Sequence, residues 1–210
     1  MRSVSPPHSS LAGEVKGIVL RNFAPVLVGL RGEGAWVKTR DALSVELREA
    51  LERGSIVAGG WYPLAWYRDL HASARRATGS GDARLAWLIG RESTKRDLNS
   101  VYRGFLRVLS PRVVLSASTR FFGTYYRPGL MKLVESRDGF GRVTFTDCHG
   151  FDRDVWSDVF GGCEVTMELA GARSLRMRVE LGGRDGDSNT TLIAWWASGD
   201  DATPTDPPTA

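Results

Sequence analysis

The spacing of apolar residues changes character near Pro128, and that change constrains the fold more than any other feature of the chain. Before it, the spacing is helical. Phe23, Val26, Leu27 and Leu30 recur every three to four residues, and Trp36 and Val37 open a second run. Leu43, Leu47 and Leu51 form a stripe that Gly54 ends. Trp61-Tyr62-Pro63 opens the next helix, whose apolar face is Leu64, Tyr67, Leu70 and Ala74 and whose end is Gly79-Ser80-Gly81. Asp82 caps another, with Leu85, Leu88 and Ile89 inward. The period continues past Asn99 through Val101/Tyr102, Phe105/Leu106 and Leu109, and Ser110-Pro111 starts a helix that runs to about Tyr126. Val15 to Leu20 reads as a short strand interrupted by Gly17.

After Pro128 the period is two. Leu130 to Glu135 alternates as a strand, Arg137-Asp138-Gly139 supplies a turn, and Val143, Phe145 and Asp147 return as its hairpin partner. Asp152 starts one helix with a seam of Trp156, Phe160, Cys163, Met167 and Ala170, closed by Gly171. Leu175, Met177, Val179 and Leu181 alternate with charged residues, and Leu192 to Trp196 is the last strand. The order predicts an α+β fold: an N-terminal helical half, then a β-β-α-β-β antiparallel sheet with helices packed on one face. No internal repeat is visible. Residues 14–197 are expected to form a single α+β domain. Residues 1–13, and the acidic Pro/Thr tail 198–210, are expected to be disordered for lack of core-forming side chains.

Composition narrows the class. The 210 residues are 42% hydrophobic and 25% charged, which excludes a fibrous or wholly disordered protein. No apolar run approaches the roughly 20 residues of a membrane span, and the N-terminus lacks a signal-peptide core, so a cytoplasmic location is expected. Cys148 and Cys163 are too few for a disulfide framework. The formal charge of +4 conceals an uneven spread. The tail holds Asp200, Asp201 and Asp206 and no base, while Trp61 to Pro128 carries twelve basic residues against Asp69, Asp82, Glu92 and Asp97.

Motifs for catalysis are scarce. Asp147-Cys148-His149 brings an acid, a thiol and an imidazole together, but neighbours on a strand point to opposite faces and cannot pair as nucleophile and base. His8, His71 and His149 are scattered. In Gly182 to Asn189, Asp185, Asp187 and Asn189 alternate as in a calcium loop, yet Thr190 and Trp196 occupy the required glycine and glutamate positions, leaving a polar hairpin turn. Gly29, Gly32 and Gly34 do not make a dinucleotide fingerprint. Basic helices suit phosphate, but no nucleic-acid-binding motif accompanies them, and 24 of the 28 basic residues are arginine throughout the chain. The aromatic residues cluster; a plain core is the more frequent reason for that, and the functional reading is the lining of an apolar cavity.

Lys16-Gly17, Trp61-Tyr62-Pro63, Gly90-Arg91-x-Ser93, Val101-Tyr102-Arg103-x-Phe105-Leu106-Arg107, Ser110-Pro111 and Tyr126-x-x-Gly129-Leu130 together resemble a conserved protein family known mainly from myxobacteria. The strand–strand–helix–strand–strand half is distantly similar to a superfamily that includes the four-vinyl reductase domain, the haem–nitric-oxide-binding domain and the vesicle-tethering TRAPP subunits. In the four-vinyl reductase pattern two cysteines can hold zinc; here the same frame reads Glu180-x-x-Gly183-x-x-Gly186-Asp187-x-x-Thr190, so Gly183 and Thr190 stand at the zinc-ligand positions. The haem-binding branch uses a Tyr-x-Ser-x-Arg clamp and a proximal histidine. The sequence holds no such motif, and His71 is its only helical histidine.

The resemblance implies a non-enzymatic, cytosolic ligand-binding or sensory domain that takes an apolar or lipid-like small molecule, with no metal, haem or other cofactor. Its pocket residues are expected to be Trp61, Tyr62, Tyr102, Arg103, Phe105, Phe122, Trp156, Phe160 and Met167, with Tyr102 and Arg103 as the polar members. The alternatives left open are a dimerising protein–protein scaffold like the tethering subunits, nucleic-acid binding through the basic helices, and an enzyme built on Cys148 and His149.

Overall fold

A computed structural model describes residues 13–79, 81, 83–99 and 110–197. Strand β1 (Glu14–Lys16) leads directly into α1 (Gly17–Arg31), followed by α2 (Glu33–Asp41) and α3 (Val45–Glu52). Strand β2 (Trp61–Pro63) precedes α4 (Leu64–Thr78) and α5 (Arg84–Asn99). The second half comprises α6 (Pro111–Tyr125), β3 (Tyr126–Arg127), β4 (Leu130–Arg137), β5 (Phe140–Thr146), α7 (Arg153–Leu169), β6 (Arg173–Leu181) and β7 (Thr190–Ala197). The α+β class and the β-β-α-β-β order are as the periodicity predicts. The expected termini, the Asp82 cap and the segment Val101 to Leu109 lie outside the described residues. Among the described residues no helix is long and apolar enough to cross a membrane.

Two readings of the N-terminal half are corrected. The strand expected over Val15 to Leu20 ends at Lys16, and Gly17 begins a helix. A Cβ at Gly17 would collide with the Val57 carbonyl oxygen, so the glycine serves a close approach of the loop that carries Val57. That loop caps the helix: Gly17 N–H donates to Gly60 O at 2.9 Å and Ile18 N–H to Ala58 O at 3.0 Å. Trp61-Tyr62-Pro63 is a strand rather than the opening turn of a helix, paired Lys16 with Trp61 and Val15 with Tyr62. With β3 it completes a three-stranded sheet in the order β2-β1-β3.

The larger sheet has the order β4-β5-β7-β6, all antiparallel. Its inner face carries Met131, Val143, Phe145, Leu192, Ala194 and Trp196 into the main core, under α6 and α7. Helix α7 starts where Asp152 was expected to cap it, the carboxylate accepting from Val155 N–H at 2.9 Å. Helices α5 and α7 cross in backbone contact. A Cβ at Gly90 would strike the Asp158 carbonyl oxygen, and one at Gly161 would strike that of Trp87. Small residues at the crossing set the helical half firmly against the sheet half.

Candidate functional site

The expected pocket residues divide into three places. Trp156 is fully buried, 4.7 Å from Phe151 and 5.7 Å from Phe145, with Phe160 stacked on it at 5.9 Å. Phe122 joins the same core against Phe145 at 5.1 Å. These rings pack on one another. Trp61 and Tyr62 belong to the smaller sheet: the Trp61 ring centre is 3.8 Å from the Arg127 guanidinium and 4.3 Å from the Lys16 ammonium, and Tyr62 stacks on Trp66 at 5.7 Å. Tyr102, Arg103 and Phe105 lie outside the described residues.

Met167 lines an apolar recess between α6, α7 and the inner face of the sheet. The recess is narrow, with enclosed space for about one water molecule, and its walls are Leu115, Met131, Gly141, Val143, Cys163, Met167, Met177, Leu192 and Ala194. None of these side chains is polar or charged. Leu115 reaches Gly141, where a Cβ would collide with its methyl, so a glycine in a strand lets α6 close on the sheet. The recess therefore lies beside the Trp156–Phe160–Met167 seam, at the end that carries Cys163 and Met167.

A second feature was not legible in the sequence. Asp158 on α7 is buried, and its carboxylate accepts from Tyr67 O–H on α4 at 2.8 Å and from Tyr126 O–H on β3 at 3.4 Å. His71, one turn along α4 from Tyr67, places Nε2 3.7 Å from Asp158 Oδ1 with no hydrogen-bond partner. The Tyr67 and Phe23 rings meet the imidazole edge-on at 4.5 and 5.0 Å. Burial pushes Asp158 up to about 7, against the two phenol hydrogen bonds that favour its anion. Burial pushes His71 down to about 3 and keeps it neutral. The signal that could have found this cluster is Asp158 itself, an acid four residues after Asp154 and three before Gly161, set among Val155, Trp156, Val159 and Phe160.

The remaining candidate chemistry is occupied by structure. Cys148 is buried, its thiol contacts Thr146 O at 3.5 Å, and burial with the nearby Asp147 charge pushes it up to about 12. In the Gly182 to Asn189 connection, Asp187 accepts from Arg184 N–H at 2.9 Å and Asp185 from Arg153 N–H at 2.8 Å, so both acids hold the turn. Gly183 packs against Phe160 and Val179, and Thr190 is buried. Among the described residues no group of three or more histidine, cysteine, aspartate or glutamate side chains is placed to hold a metal ion.

No family model and no curated protein sequence matches the chain. Solved structures do. The Fe(II) unliganded H-NOX protein from K. algicida is 15% identical, with a TM-score of 0.68 over 90% of this chain and 100% of that one. The Fe(II) H-NOX protein from S. oneidensis, as a triple mutant, is 10% identical, with a TM-score of 0.64 over 89% and 98%. An oxygen-binding H-NOX domain related to soluble guanylate cyclases is 12% identical, with a TM-score of 0.61 over 91% and 100%. At these identities the likeness is one of fold. The chain has the fold of H-NOX domains.

Proposed function

We propose that the chain is a non-enzymatic ligand-binding domain of the sensory kind, which takes an apolar small molecule into the recess between α6, α7 and the sheet and does so without haem or metal. The observation that carries this reading is the recess itself, walled by nine residues without one polar side chain, in a fold whose solved examples are ligand-binding H-NOX domains.

The fold implies haem, and the residues at hand do not fit it. His71 is the helical imidazole, but Phe23, Tyr67 and Asp158 close around its ring and leave no space for a macrocycle beside Nε2. The recess offers no cation or donor for carboxylates, and its enclosed space is that of about one water molecule, far below what a macrocycle needs. A small neutral molecule suits that chemistry and enters by displacing the flexible wall side chains of Met131, Met167 and Met177. The non-enzymatic part of the reading is supported by the lack of a catalytic motif in the sequence and by Cys148, whose buried thiol is held far from thiolate.

Native mass spectrometry of the purified full chain, with thermal melts against benzene, indole and short alkanes, tests the proposal. A ligand that binds the native state raises the melting temperature by mass action. Met177→Leu, which replaces a yielding wall side chain by a branched one of similar volume, is expected to melt within a few degrees of the parent and to weaken that response. A melting temperature unmoved by every apolar probe would overturn the reading, and so would a purified chain that carries stoichiometric haem.

A further inference from the structure

The outer face of the large sheet, turned away from α6 and α7, is basic. Residues opposite one another in a ladder share a face. Arg142 and Arg178 therefore flank Ile193, Arg176 stands beside Trp195, Arg173 beside Ala197, Arg137 beside Phe140 and Lys132 beside Thr144. These are all the basic residues of the four strands, whose acids are Glu135 and Glu180. Both acids turn to Arg142, at 3.0 and 3.2 Å. The net positive charge is thus weighted toward the edge strand β6, where Arg173, Arg176 and Arg178 are exposed.

The chain itself supplies the opposite charge. Residues 198–210 hold Asp200, Asp201 and Asp206 and no base, and they follow Ala197, which stands opposite Arg173 at the end of β7. At about 3.3 Å per residue, the chain lets Asp200 reach roughly 10 Å and Asp206 roughly 30 Å from that point. Arg178 is about 16 Å along β6 from Arg173, inside that reach. Pro204, Pro207 and Pro208 lack the N–H that a further strand needs, which favours side-chain contacts on the face over strand addition beside β6. A short tether gives an effective concentration of the millimolar order, so pairs too weak to hold a separate peptide hold a segment already attached.

We propose that residues 198–210 dock back on the outer sheet face through Asp200, Asp201 and Asp206, against Arg173, Arg176 and Arg178 of β6, and so screen the basic face from other anions. NMR of the 15N-labelled full chain at low salt tests this. Arg173→Gln/Arg176→Gln/Arg178→Gln is expected to shift the Asp206 amide. Asp200→Asn/Asp201→Asn/Asp206→Asn is expected to shift the Arg178 Nε–H and Trp195 indole signals. The substituted arginines are exposed, so the fold is expected to survive, and an unmoved indole of the core residue Trp156 checks it. High salt is expected to erase both differences from the parent, because it screens exposed pairs. Signals blind to the opposite variant would overturn the docking. Differences lost on dilution would overturn it too, and assign the contact to a second copy. A short oligo(dT) is expected to bind the aspartate variant more tightly than the parent; equal binding would overturn the screening.

Discussion

The phenol of Tyr67 donates to Oδ1 of Asp158 at 2.8 Å across 91 positions of sequence, in a place from which both side chains are shut off from water. Beside them His71 is equally buried, and the two titrating groups carry opposite linkages to folding. Asp158 rises from 3.8 to about 7, so the folded state holds its proton longer than the unfolded chain does. Its contribution is therefore unfavourable, growing as pH rises from about 4 to 7. His71 falls from 6.5 to about 3, so its contribution is present above pH 6.5 and is lost as pH falls toward 3.

Between about pH 4 and 6.5 the two slopes oppose, each on the order of 1.4 kcal/mol per pH unit. This pair is expected to leave stability nearly independent of pH there. Asp158→Asn removes one arm, so the variant is expected to gain stability steeply with pH across that window relative to the parent. Urea denaturation of both proteins from pH 4 to 8 checks this. Parallel stability–pH curves would show that Asp158 titrates in the folded protein as it does in the unfolded chain.

Glycines in helices have opposite effects according to what faces them. Gly29 on α1 meets nothing within 4 Å, so Gly29→Ala is expected to stabilise by about 0.5–1 kcal/mol through helix propensity. Gly90 and Gly161 face carbonyl oxygens across the α5–α7 crossing, where no rotamer change relieves a clash. Gly90→Ala and Gly161→Ala are each expected to cost about 2 kcal/mol or more. Equilibrium denaturation of the three variants reads both signs, and a neutral Gly161→Ala would mean that the helices separate easily.

The seam Trp156, Phe160, Cys163, Met167 and Ala170 was legible because one helix face keeps one period, and the β4–β5 hairpin because Arg137-Asp138-Gly139 punctuates an alternation. Trp61–Pro63 was not legible as a strand. Three residues carry no period, and their partner β1 lies some 45 positions earlier, a pairing no local pattern announces. Of the recess walls only Met167 was expected in a pocket, for a related reason. Met131 and Met177 read only as alternating positions of two separate strands, and the β4-β5-β7-β6 order brings both under Cys163 and Met167. Asp158 was lost among neighbours whose apolar character set the reading of the whole turn.

Both cysteines are held as thiols near 12, Cys148 by burial and the Asp147 charge, Cys163 by burial alone. A water-soluble disulfide reagent is therefore expected to label neither within minutes in the native full chain up to about pH 9, and to label both on denaturation. Rapid native labelling of Cys163 would show that the recess opens to solvent far more often than its packed walls suggest.

On the outer face of the large sheet, away from the main core, Phe140, Ile193 and Trp195 form a separate cluster that is 5%, 2% and 8% exposed. Arginine side chains roof it: Arg137 lies 4.3 Å from the Phe140 ring centre and Arg178 5.8 Å from that of Trp195. Arg142 joins Glu135 at 3.0 Å and Glu180 at 3.2 Å across the strands. Long basic side chains bury apolar surface with their stems while their heads stay in water, so this face gains from packing more than from charge. Ile193→Ala is accordingly expected to cost about 2–4 kcal/mol, as in a core. Arg142→Ala is expected to cost about 1 kcal/mol or less, and less still in high salt, because its ion pairs are exposed. Urea denaturation at low and high sodium chloride distinguishes the two. A near-neutral Ile193→Ala would mean that the arginine roof is open in solution and the cluster already wet.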